Sequence, residues 1–216
     1  AADTNYTSVS STAQTFTITQ ASQSALTTTA QTVTYPAAFS NAATTGGSGT
    51  GAVTYALTSA GTAGCSVTSG GVISYANAGT CTITATKAAD TNYTSVSSTA
   101  QTFTISKASQ SSLINVGAST TAWPATLGLT ITGGSGTGAL AYSISSAGTA
   151  GCSVGASSGI VTPTTAGTCD IAITRAADTN YNISSTLTPT VTFAQASQSA
   201  LTTTAQTVTY PAAFSN

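Results

Sequence analysis

The amino-acid sequence predicts an all-β chain of antiparallel β-sandwich modules arranged in a linear tandem array. Three observations carry that prediction. Short runs alternate polar and apolar residues with period two, clusters of Gly and Asn separate them, and the whole pattern returns after about 87 residues. A helical period of 3.6 is found nowhere.

Taken in chain order, the predicted strands are TAQTFTIT (Thr12–Thr19), QTVTY (Gln31–Tyr35), AVTYALT (Ala52–Thr58), GVISY (Gly71–Tyr75), TCTITATK (Thr80–Lys87) and TAQTFTIS (Thr99–Ser106). In TCTITATK the side chains of Cys81, Ile83 and Ala85 point one way and those of Thr80, Thr82, Thr84 and Thr86 the other. A strand's side chains alternate between faces, so one face is core and the other meets water. NAATTGGSGTG and GTAG supply turns, because Gly and Asn tolerate the backbone angles that reverse a chain.

The repeat has two levels. AADTNY begins at Ala1, Ala88 and Ala176; ASQS at Ala21, Ala108 and Ala196; GGSGTGA at Gly46 and Gly133; SAGTAGCSV at Ser59 and Ser146. A longer period lies above this one, for the 22 residues Gln20–Asn41 return unchanged as Gln195–Asn216. Across one module step the match is partial: TYPAAFSN from Thr34 answers to AWPATLGL from Ala122. The pattern is an A-B-A-B array. Residues 1–19 are read as the closing strand region of a preceding module, 20–106 as module A, 107–194 as module B and 195–216 as the opening of another module A. The chain is accordingly read as a window on a longer polypeptide.

The order GGSGTGAVTYALTS…GCSV…AGTCTITATKAADTNY…TAQTFTI resembles the bacterial immunoglobulin-like repeats of giant cell-surface adhesins and tandem β-domain fibre proteins. The resemblance implies immunoglobulin-like sandwiches, with TCTITATKAADTNY as the next-to-last strand and its turn, and TAQTFTI as the last strand. It implies chiefly a spacer role.

Four cysteines fall two to a module, Cys65 with Cys81 and Cys152 with Cys169. Four allow three pairings; the matching separations of 16 and 17 residues favour pairing within a module. Disulfides imply an extracellular or cell-surface location, and buried free thiols are the alternative. A zinc site lacks ligands, with two cysteines per module and no His.

Only Lys87, Lys107, Arg175, Asp3, Asp90, Asp170 and Asp178 carry charge, 3% of the residues against roughly 25% in ordinary domains. Ser and Thr supply more than a third of the chain, so its polar covering is hydroxyl. Nucleic acid is not expected as a partner, for want of a basic patch. Nor is a membrane-spanning segment, since no apolar run approaches the required ~20 residues. Without Glu or His, a general acid–base pair has no obvious members. The chain is expected to be no enzyme and to hold no cofactor or metal.

Other candidates have plain structural readings. The Asp and Asn of Asp3–Asn5, Asp90–Asn92 and Asp178–Asn180 are calcium-type ligands, but calcium takes 6–8 oxygens, and Asp and Asn also build turns. Lys87 is placed to pair with Asp90, and Arg175 with Asp178. GGSGTG lacks the Lys-Ser/Thr of a phosphate-binding loop. Asn5, Asn92 and Asn182 fit the glycosylation pattern, which arises easily in a Thr-rich chain. Trp123 stands where module A has Tyr35, each before a Pro, and is read as packing at a strand end, with stacking on a glycan or other surface ligand as the alternative.

The junction is informative. From Thr80 to Val116 there is neither Gly nor Pro, unlike a flexible tether. The expected partners are neighbouring repeats of the same chain, with lateral bundling of fibres. The function expected is a structural extracellular fibre or stalk; the alternative is a multivalent adhesin module binding a glycan or host protein.

Overall fold

The computed structural model describes residues 4–210. The chain divides into two compact units, Ala1–Ala108 and Ser109–Asn216, and every regular element among the described residues is a strand.

The first unit holds β1 (Leu26–Thr28), β2 (Thr32–Thr34), β3 (Thr44–Gly46), β4 (Val53–Ser59), β5 (Ser66–Val67), β6 (Ile73–Ser74), β7 (Gly79–Lys87), β8 (Val96–Ser97) and β9 (Gln101–Ser106). Its main sheet runs β2-β9-β7-β4, with β8 also on β7; β1 pairs with β3, and β5 with β6. β2 lies parallel to β9, while β7 is antiparallel to both β9 and β4. The alternation read from TCTITATK is realised: Cys81, Ile83 and Ala85 are buried and the threonines between them are half-buried on the other face. On that outer face the Thr84 and Thr58 hydroxyls lie 2.6 Å apart, a bond between neighbouring strands.

The core gathers Ile83, Cys81, Phe103 and Ile105 from the main sheet, and Phe39, Cys65 and Ile73 from the elements covering it. Phe39 meets Phe103 edge-on, with ring centroids 5.6 Å apart. Fully burying an Ile or Phe side chain such as Ile83 or Phe103 contributes about 1.5–3 kcal/mol relative to exposure. This makes a two-layer immunoglobulin-like β-sandwich.

The second unit repeats the plan with β10 (Leu113–Asn115), β11 (Thr120–Ala122), β12 (Leu127–Gly128), β13 (Ile131–Gly133), β14 (Leu140–Ser146), β15 (Ser153–Val154), β16 (Ile160–Thr162), β17 (Gly167–Arg175) and β18 (Thr190–Ala194). Its main sheet is β11-β18-β17-β14, again with a parallel first pair, β11 on β18. Leucines at 113, 127 and 129 pack with Phe193, Ile171 and Ile173. The second unit thus has a leucine-rich core where the first stacks aromatic rings.

One expectation fails instructively. Thr12–Thr19 repeats the β9 sequence with a single change, yet forms no strand. Phe16 is 91% exposed, whereas its counterpart Phe103 is fully buried at 0%. β9 lies between β2 and β7, which satisfy its backbone and cover its apolar face. Among the described residues Thr12–Thr19 pairs with no strand on either side. Residues 195–210 of the second copy of the repeat behave alike: Leu201 is 99% exposed and Leu26 only 5%. Strand propensity is a preference for a pleated surface with neighbours, and without them it produces nothing.

Candidate functional site

The DTN motifs build a clasp. In the first unit one Asp90 carboxylate oxygen, Oδ1, accepts the Asn92 and Tyr93 amides, both at 2.9 Å, closing the turn. The other, Oδ2, accepts the Thr50 amide at 2.6 Å and its hydroxyl at 3.2 Å, and so holds the GGSGTG loop. Gln23 secures the same loop. Its carbonyl oxygen accepts the Gly49 amide, and its NH₂ donates to the carbonyls of Ala88 and Thr94. The loop needs glycine here: Gly46 has φ +92°, a region that side-chain-bearing residues seldom occupy, and a Cβ on Gly51 would run into the Ala88 carbonyl.

The second unit builds the clasp from Asp178, Thr137, Asn180, Tyr181 and Gln110. Backbone N–H groups of Thr50 and Thr137, then those of Asn92 and Asn180, bond the charged carboxylates and hold Asp90 and Asp178 below the ordinary carboxylate value. With both oxygens taken up by N–H and O–H donors, the motif is a turn and loop clasp. No group of three or more His, Cys, Asp or Glu suited to a metal occurs among the described residues.

The two basic side chains at the clasp reach the glycine loop. The Arg175 guanidinium donates to the Gly138 carbonyl at 2.9 Å and the Gly133 carbonyl at 3.3 Å. The Lys87 stem lies over Gly47. Both basic side chains thereby brace the glycine loop.

Cys65 is bonded to Cys81 and Cys152 to Cys169, with Cα atoms 6.1 and 6.2 Å apart. Each bond ties the main sheet, at β7 or β17, to the short strands across the core. The four sulfurs are buried.

The opposite pole of each module carries the aromatic before proline. Trp123 donates its backbone N–H to the Ala194 carbonyl, so it sits where β18 ends. Its indole N–H donates to the Thr164 carbonyl at 3.3 Å, leaving the ring face free of polar duty and the residue 40% exposed. Trp123, Thr165, Ala166 and Gln195–Gln198 line an open groove of about 490 Å³. In the first unit Tyr35 takes the equivalent place, bonded to the Ser106 carbonyl, beside Tyr75 at 6.4 Å.

No family model and no curated protein matches the chain. Solved structures similar to it include Drosophila N-cadherin EC1-4, at 10% identity and TM-score 0.30, covering 79% of this chain and 50% of that one. Human protocadherin-24 EC1-2 is 12% identical, with TM-score 0.36 and coverage of 81% and 99%. The fibronectin(III)-like modules of Clostridium thermocellum CbhA are 13% identical, with TM-score 0.32 and coverage of 79% and 94%. The chain spans half the length of the N-cadherin fragment it matches. The fold class itself rests on the strand order and register given above.

Proposed function

We propose that this chain is a segment of an extracellular structural fibre or stalk, an array of immunoglobulin-like modules that supplies length, stiffness and stability. The observation that carries the reading is the connection. β9 ends at Ser106 and β10 begins at Leu113, so six residues, none of them Gly or Pro, join the last strand of the first unit to the first strand of the second. A tether that short and without glycine restricts the freedom of whatever it joins. Repetition supports the reading, since stacked repeats extend a structure by equal increments. Disulfides support an oxidising location outside the cytoplasm, and the resemblance to bacterial surface repeats points the same way. The partners are further modules of the same kind, and a surface of hydroxyls with net charge −1 favours side-by-side association.

The test is small-angle scattering of chains carrying two, four and six modules. Maximum dimension is expected to grow in proportion to module number. Growth with the square root of that number would mark a freely jointed chain and refute the proposal.

A further inference from the structure

Gln20–Gln23 and Gln195–Gln198 are the same four residues, QASQ, seen in two settings. In the first unit they lie on the Asp-Thr-Asn-Tyr turn. Gln20 donates to the Asp90 carbonyl at 2.5 Å, and the Ala21 amide to the Asn92 carbonyl at 2.8 Å. Ala21 bridges Tyr93 in parallel, and the Thr94 amide returns a bond to the Ala21 carbonyl. In the second unit the identical residues line the Trp123 groove. One setting shows what lies after these residues, the other what lies before them.

We infer that the Trp123 groove is the seat of an Asp-Thr-Asn-Tyr turn, that of a module A joined directly after Ala194. This rests on the array reading above. A module A that starts at Gln195 carries its turn on residues 195–198, and those residues already wall the groove. The turn therefore arrives at the Trp123 ring. The chemistry suits it: the indole N–H is engaged, so the ring offers an apolar face, and Tyr or Asn side chains pack well on such a surface. The equivalent pole of the first unit carries Tyr35, Pro36 and Tyr75.

Trp123 is the sole tryptophan and reports on the joint directly. The chain is to be continued past Asn216 with the sequence of residues 42–106, which completes residues 195–216 into a module A. Acrylamide quenching of Trp123 is then compared with that of the 216-residue chain. Quenching is expected to fall roughly twofold as the ring passes to interface burial, with emission shifted to shorter wavelength. Three glycines inserted after Ala194 are expected to restore the quenching of the shorter chain. Quenching unchanged by the added module, or indifferent to the glycines, overturns the inference. So does Trp123-dependent retention of the extended chain on a glycan array, which would make the groove a sugar site. Scattering dimensions test the fibre reading separately, since an array stays extended or collapses whether or not Trp123 is covered.

Discussion

The repeated segment contains its own control experiment. Leu26 and Leu201 occupy the same place in identical 22-residue sequences, one buried within a module and the other in water. Leu26→Ala removes a core side chain, and such changes cost 2–5 kcal/mol; we take about 3 here. A transition of this size of domain moves by roughly 4–8 °C per kcal/mol, so the first unit is expected to melt more than about 10 °C lower. Leu201→Ala touches nothing that is packed, and its effect is expected to stay within about 0.5 kcal/mol, a shift of about 4 °C or less. Calorimetry of the whole chain measures both. Circular dichroism follows both units, while Trp123 fluorescence reports from the second. Equal shifts for the two variants would show that neighbours do not decide burial here, and the account of Thr12–Thr19 would fall with it.

The other predictions concern the clasp and the cysteines. Asp90 and Asp178 have folded pKa values below the ordinary 3.8, so their bonds stabilise the fold above about pH 4, and that stability is lost as pH falls through the lowered values. Lacking Glu and His, the chain should hold a flat melting temperature from about pH 5 to 8; the double variant Asp90→Asn, Asp178→Asn should show a shallower acid decline, and an unaltered one would remove the clasp's role. Reduction of Cys65–Cys81 should lower the stability of the first unit by about 3 kcal/mol, the cost of reopening a loop of this length. Calorimetry with and without a phosphine reductant, alongside thiol titration, decides it: free thiols with no fall in melting temperature would count against a stabilising bond.

Much of the fold was legible because it is written with period two. β7 and β9 follow the alternation of TCTITATK and TAQTFTIS residue by residue. The two-residue strands β5 and β8 left no such trace, being too short for a period to show. The clasp was half legible: Asp90 was placed in a turn from its own neighbours, but its grip on Thr50, 40 residues away, was invisible in local sequence. Gln23 was missed altogether, since its partners at Ala88 and Thr94 lie 65 and 71 residues away. A signal was present nevertheless, for ASQS, GGSGTG and AADTNY return together in both modules. The failure at Thr12–Thr19 has the opposite cause, a strong local pattern without the sheet that would use it.

The charged groups have a further consequence. Asp90 and Asp178 are held by amides and hydroxyls, Asp170 by the Thr190 hydroxyl, and Arg175 by two carbonyls. Dissolved electrolyte weakens attractions between opposite charges at an exposed surface, but it has little purchase on bonds of this kind. Modules built so are expected to keep their shape from dilute water to brine, since a chain with 3% charged residues gives a change of ionic strength little to screen.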